Sequence, residues 1–360
     1  MVGDVPCAGE GPASKLKACA TLTRLSVRHF RCFERFETEW LPGLNLIVGP
    51  NARGKTSLLE AACILLRLQS PRGARLPEVI QHDRRGFVVD GHWEARHLQF
   101  YYAAERKKLA LDAVEQRTSR EYLEIARVVC FANSDIELMR GSGGVRRRFL
   151  DFLAVQRDRT YRKTLRDYER ALRSRNALLK GTATPRWREI AAFDGPLLAA
   201  GEALTTARRR LVLELGPHAD AAHGAVSGAL ETLRLEYVPG AGETFAEALA
   251  ASRVEDARLR QTCVGPHRDE LRFLLNDRAA SFGSEGQQRT LVLALRLGAA
   301  RLLERHWGCP PLLLLDDIFG ELDPERRNAL LAALPAGGQA FITTTSLAWA
   351  PGELVPQVRL

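Results

Sequence analysis

The stretch Gly49-Pro50-Asn51-Ala52-Arg53-Gly54-Lys55-Thr56 constrains this chain more than any other. It follows Leu44-Asn45-Leu46-Ile47-Val48, an apolar run short and β-branched enough to be a buried strand. Ser57-Leu58-Leu59-Glu60-Ala61-Ala62-Cys63-Ile64-Leu65-Leu66 comes next and reads as a helix. Strand, eight-residue loop and helix form the context a phosphate-binding loop requires. Glycines let the backbone curl so that its N–H groups point inward, and the helix N-terminus adds partial positive charge. Lys55 can then reach the β- and γ-phosphates of a nucleotide, while the Thr56 hydroxyl can hold Mg²⁺.

The C-terminal third supplies a matching half. Leu312-Leu313-Leu314-Leu315 reads as a buried strand that ends in Asp316-Asp317. An apolar strand ending this way places Asp316 at the Mg²⁺ shell, and Asp317 is then positioned to orient or deprotonate an attacking water. Ser284 has two readings that do not exclude each other. With Gln287 three residues on, it forms a capping box that starts a helix. The same Ser-Glu-Gly-Gln cluster presents a hydroxyl and free N–H groups suited to a γ-phosphate.

The 360 residues suffice for a sizeable core in two lobes, and no apolar run approaches transmembrane length. Residues 1–20 show neither periodicity nor a secretory apolar block and are read as a disordered extension. Seven scattered cysteines, odd in number and never spaced Cys-x-x-Cys, fit reduced thiols better than a disulfide frame or a zinc site. The formal charge of +9 suggests a polyanionic partner. From Val145 the pattern turns helical, with Phe149, Phe152 and Leu153, then Tyr161, Leu165, Tyr168 and Leu172, at three- and four-residue spacing. Between 146 and 180 twelve basic residues face four acidic ones, a local excess of +8. Either this is a solvated helix face or it contacts a phosphate backbone, and the local concentration favours the second. A second helix is expected from Trp187 to Leu215, ending at Gly216-Pro217, with further helix to about Gln261.

These paired motifs resemble the ATP-binding-cassette superfamily, in the DNA-repair branch beside the SMC proteins, and most closely the RecF family of bacterial recombination-repair proteins. The resemblance rests on Phe30-Arg31, Gly49–Thr56 with Leu59-Glu60-Ala61, and Gly141 through Arg146-Arg147-Arg148-Phe149-Leu150-Asp151. It continues through Gly265-Pro266-His267-Arg268-Asp269, Ser284-Glu285-Gly286-Gln287-Gln288-Arg289-Thr290 and Leu314-Leu315-Asp316-Asp317 with Glu321-Leu322-Asp323. It implies an α/β fold: an ABC/SMC-like P-loop ATPase head (21–144 and 262–360) with an inserted helical arm (145–261). It also implies ATP sandwiched between two subunits. Lys55 and Thr56 would hold phosphates and Mg²⁺, Asp316 would support the metal, Asp317 would take the catalytic carboxylate position, and Ser284 would act across the dimer. Asp323 would face the partner's site, and Gln81 is a weak match to the metal-sensing glutamine loop.

The implied partners are DNA, at single-stranded gaps and duplex junctions, recombination mediator proteins and an ATP-dependent second copy of the chain. A membrane is not among them, and the implied location is the cytoplasm. Hydrolysis would be slow, Mg²⁺-dependent and DNA-stimulated. Two rival readings are a nucleotide-responsive DNA-binding scaffold with negligible hydrolysis and, less suited to the basic arm, the energising subunit of a transporter. Ala52 stands where the family usually has glycine, and Asn133-Ser134-Asp135 replaces the usual Pro-Glu-Asp.

Overall fold

The computed structural model describes residues 20–104, 106–181, 184–228, 231–347 and 355–360. The extension expected at the N-terminus lies outside these residues, except for Ala20. Two sheets sandwich the helix Lys55–Arg67. One has five strands, all parallel, in the order Val358–Arg359, Leu44–Val48, Ala340–Thr344, Leu312–Asp316, Val128–Ala132. The other is antiparallel, with Leu22–Phe30 between Phe33–Glu39 and Gly86–Trp93, followed by Arg96–Ala103, Arg106–Leu111 and Val114–Glu115. A helix covered on both sides must be apolar nearly all round. That is why Leu58 through Leu66 are buried without a break.

The parallel strands read as continuous apolar runs because both their faces are covered. Their C-terminal ends line up, so the phosphate loop after Val48, the Asp316-Asp317 pair and Thr343-Thr344 meet at one edge. Ligand sites in open parallel sheets form at this edge, where the strand order reverses.

The second lobe is built on helices Gly143–Arg157, Tyr161–Gly181 and Asp194–Ser227. The last of these corrects the expected stop at Gly216-Pro217, because the helix runs on to Ser227. Proline interrupts one backbone hydrogen bond. Here Leu211, Val212, Leu215, Ala219, Ala222 and Val226 stay buried on both sides of that point, and packing overrides the local break. Most of this face lies along helix Glu285–Trp307. A Cβ on Gly298 would fall 2.7 Å from the Ala219 backbone nitrogen, so only glycine lets the two helices approach this closely.

A second correction concerns Leu233–Val238, expected to lie in or between helices. It is a strand paired antiparallel with Glu270–Leu275, which also pairs with Arg278–Ala279. The resulting three-stranded sheet straddles residue 261, tying the helical segment to the chain that returns from it. Beneath this joint, Arg208 pairs with Asp151 (2.8 Å) and Asp269 (2.7 Å), and Tyr237 donates to Asp269. His267 accepts from the Tyr168 hydroxyl at Nδ1 (2.7 Å) and donates from Nε2 to the Thr262 carbonyl (2.9 Å). The Gly-Pro-His-Arg-Asp motif is therefore the point where arm helices and returning sheet lock together.

The basic residues of 146–180 are more neutralised than their local count implies. Arg146 pairs with Glu270, Arg157 with Glu214, Arg159 with Glu124, and fully buried Arg175 with Asp194 and Asp256. These five carboxylates all come from outside the segment. Among the described residues, Arg148, Arg162, Arg166 and Lys180 have no ion-pair partner.

Candidate functional site

The loop begins where Leu44–Val48 leaves the sheet and ends where Gly54 caps helix Lys55–Arg67. Gly54 has φ +99°, and a Cβ there would meet the Phe33 ring at 2.5 Å and the Cys32 sulfur at 2.7 Å. Glycine is therefore required on two counts. Ala52 also sits in the left-handed region, at φ +63°, where a Cβ costs about 1 kcal/mol relative to glycine. The loop keeps its curl despite the departure from glycine. Ala52→Gly is expected to leave the melting midpoint unchanged or raised, because relief of strain opposes the extra freedom of the unfolded chain. Thermal unfolding monitored by circular dichroism checks this, and a clear drop would show that Ala52 is not strained.

Lys55 is nearly fully buried, and its Nζ donates to the carbonyls of Gly49 (2.7 Å) and Pro50 (3.0 Å). Its ammonium is thus held inside the curl of the loop. Thr56 donates from Oγ1 to Asp316 Oδ1 at 2.8 Å, across 260 residues of sequence. The same carboxylate oxygen accepts from Thr343 Oγ1 at 2.9 Å, and Thr343 Oγ1 in turn accepts from the Asp317 backbone N–H at 2.8 Å. Asp317 has φ +52°, a sharp turn out of the strand. Burial raises the Asp317 pKa, as do Asp316 and Glu321, while Lys55 opposes the shift.

Asn51, Ala52, Gly54, Lys55, Thr56 and Asp317 line a cavity of about 410 Å³ together with Arg31, Cys32, Ser57 and Arg72. Gly49 and Pro50 contribute through their carbonyls, and Arg53 is exposed beside Ala52. Two oxygens 2.8 Å apart, one hydroxyl and one carboxylate, match adjacent ligands of a small octahedral cation with metal–oxygen distances of about 2.1 Å. Among the described residues there is no group of three or more acidic, histidine or cysteine side chains that could hold a metal alone. A Mg²⁺ ion held by this pair would need phosphate oxygens and water to complete its six ligands.

Ser284 lies elsewhere. It is exposed, does not line this cavity, and caps helix Glu285–Trp307. Its Oγ accepts from the Gln287 N–H at 3.3 Å, and its N–H donates to Gln287 Oε1 at 2.8 Å, so the capping box is real. Because Oγ receives this bond as an acceptor, its own O–H remains free to donate outward. Asp323 caps helix Pro324–Ala333 by accepting from Arg326 N–H at 2.9 Å. Gln81 is within 3.3 Å of His29 Nδ1 and is not among the residues lining the cavity. Asn133 bonds Glu321 at 2.9 Å, and Asp135 pairs with Arg296 at 2.6 Å.

Three participants escaped sequence reasoning. Thr343 shares Asp316 with Thr56, and its only signal was a run of threonines ending an apolar strand. Arg31 carries no assigned role in the sequence motifs. It reaches the cavity because fully buried Glu60 holds it at 2.8 Å, with Ser70 bonding the same carboxylate at 2.6 Å. Arg72 reaches the cavity from the loop that follows helix Lys55–Arg67.

Residues 21–348 match the model of the RecF/RecN/SMC N-terminal domain family. The DNA replication and repair protein RecF of Anaeromyxobacter sp. (strain Fw109-5) is 40% identical over 90% of this chain and 92% of its own length. That of Moorella thermoacetica is 36% identical over 94% of each. A solved structure of the recombination mediator protein RecF with ATP, in the RecFOR pathway, superposes with a TM-score of 0.86 at 29% identity, covering 95% of both chains. An Smc head domain bound to the C-terminal winged-helix domain of ScpA shares the fold alone, with a TM-score of 0.52 at 13% identity over 91% of this chain and 90% of that one. The family model and the end-to-end similarity show that the chain belongs to the RecF family, with an ABC/SMC-type ATPase head.

Proposed function

We propose that this chain is a Mg²⁺-dependent ATPase of recombinational repair that closes as a dimer on DNA when it binds ATP. The observation that carries the reading is the convergence of Lys55, Thr56 and Asp317 on one cavity, with Asp316 bonded to Thr56 behind it, while Ser284 stands outside it. A γ-phosphate in the loop would draw the Lys55 ammonium away from the carbonyls of Gly49 and Pro50. Thr56 and Asp316 would hold Mg²⁺, which neutralises phosphate charge. Thr343 fixes Asp316 for that task. Asp317 orients the attacking water and accepts its proton, and its raised pKa makes it the stronger base.

Ser284 completes the site of a second copy, its free O–H donating to that copy's γ-phosphate. The energy of that contact exists only with ATP bound, which makes ATP the switch for closing and hydrolysis the switch for opening. The implied setting is a single-stranded gap or duplex junction, where the closed dimer would work with mediator proteins to help load recombinase. Among the described residues no helix is long and apolar enough to cross a membrane.

DNA contact is assigned to Arg162, Arg166 and Arg170 on the arm. Burial and the neighbouring Arg166 both lower the Arg162 pKa, a strain that an anion relieves. Arg170 is exposed and only 4.0 Å from Asp167, too loose to be spoken for. Reversing all three to glutamate is expected to weaken DNA binding by about tenfold or more at ~0.1 M salt and to flatten the salt dependence by about two to three ions. ATP affinity should not change. A salt series of DNA titrations checks this, and an unaltered slope would mean that the three form only a solvated face.

A further inference from the structure

The capping box at Ser284 has a third member that comes from the arm. Gln287 receives and gives one bond within the box, and its side-chain Nε2 donates to Glu231 Oε1 at 2.6 Å. Glu231 lies between the end of helix Asp194–Ser227 and strand Leu233–Val238. A side-chain amide can face either way, since its oxygen and nitrogen are similar in size. A carboxylate only accepts, so Glu231 admits one orientation: the NH₂ toward itself and the oxygen toward the Ser284 N–H. The reverse orientation would set oxygen against oxygen at Glu231 and N–H against N–H at Ser284.

Behind Glu231 stands a buried histidine that makes no hydrogen bond to it. The Glu231 Oε2 stands 3.4 Å from Nε2 of His223, a fully buried residue of the long arm helix. That helix is keyed to helix Glu285–Trp307 at Ala219 and Gly298. The Thr232 N–H donates to Asn276 Oδ1 at 2.9 Å and the Asn276 N–H to the Thr232 carbonyl at 3.0 Å, fixing the backbone next to Glu231. The backbone that carries Glu231 is therefore tied to the returning sheet.

We propose that Glu231 is a positioning residue: by fixing the Gln287 amide it holds the Ser284 hydroxyl in the pose that meets a second copy's nucleotide. This rests on the reading of Ser284 as a residue acting across the dimer. Without Glu231, Gln287 is free to turn toward water, the box opens, and Ser284 samples rotamers that leave the γ-phosphate without its donor. The chain's own phosphate loop lies in the other lobe and is untouched.

The test compares full-length wild type with Glu231→Ala, Glu231→Gln, Gln287→Ala and Ser284→Ala. Three quantities are measured on each: ATP affinity of the dilute monomer, ATP-dependent dimerisation by sedimentation, and kcat. Glu231→Ala is expected to keep monomer affinity within twofold while dimerisation and kcat fall about tenfold, with Ser284→Ala falling at least as far. Glu231→Gln, whose carbonyl accepts the same bond, should recover both to within twofold. If Glu231→Ala melts early, Gln287→Ala takes its place and must show the same split between affinity and kcat.

Glu231→Ala or its substitute behaving as wild type while Ser284→Ala fails would overturn the positioning role alone. Glu231→Gln as impaired as Glu231→Ala would overturn it too, because charge and not the bond would then matter. Ser284→Ala behaving as wild type would overturn the cross-dimer reading and this inference with it.

Discussion

Replacing Lys55 with alanine is expected to lower ATP affinity by about 100-fold, because one nearly buried ammonium supplies the charge the loop offers to the outer phosphates. Removing one partner of a desolvated charge pair costs roughly 2–5 kcal/mol. Every 1.4 kcal/mol corresponds to about tenfold in affinity. The fold itself should tolerate the change better than burial suggests. Nζ bonds only the carbonyls of Gly49 and Pro50, and no carboxylate is left unpaired when it is removed. Lys55→Arg is not a rescue, since a planar guanidinium does not occupy the compact space of an ammonium. Titration with a fluorescent ATP analogue measures the effect. An affinity within threefold of wild type would mean that backbone N–H groups carry the binding and that Lys55 is structural.

Asp317→Asn should separate binding from turnover. The amide keeps the shape of the carboxylate but accepts no proton, so the chemical step is expected to slow by about 10² to 10⁴-fold. ATP binding should persist or tighten, because a negative charge beside the γ-phosphate has been removed, and the closed dimer should accumulate. In wild type the acid limb of kcat/KM, which reports the free chain, should lie above the ordinary aspartate range of about 4. Burial raises this pKa most, with Asp316 and Glu321 adding to it and Lys55 opposing, and activity is lost as pH falls through it. Single-turnover hydrolysis across pH reads both effects. Equal single-turnover rates in wild type and Asp317→Asn would favour a scaffold that binds ATP without hydrolysing it.

Much of the site was legible because its chemistry is local in sequence. The phosphate loop, the paired aspartates after four leucines and the capping box at Ser284 each fit within eight residues, with flanks whose periodicity names strand or helix. What escaped depends on contacts far apart in the chain. Thr343 joins Asp316 only because two strands 27 residues apart lie side by side. Arg31 enters the cavity because Glu60, itself bonded by Ser70, pairs with it and the Glu78 carbonyl accepts from it. The arm's charge looked unopposed because Glu124, Asp194, Glu214, Asp256 and Glu270 lie outside the window in which charge was counted. Helix Asp194–Ser227 passes Pro217 because its packing against helix Glu285–Trp307 outweighs one lost hydrogen bond. Leu233–Val238 alternates like a strand, yet lying between helical segments it was read with them.

The central claim is that ATP joins two copies of this chain through Lys55 on one and Ser284 on the other. Sedimentation of wild type and Lys55→Ala, with and without ATP and gapped DNA, tests it most directly. The account predicts a wild-type dimer that forms only with ATP and binds gapped DNA more tightly than the monomer, and a variant that stays monomeric throughout. A wild-type chain that remains monomeric with ATP and DNA, or a Lys55→Ala chain that dimerises as readily as wild type, would contradict it.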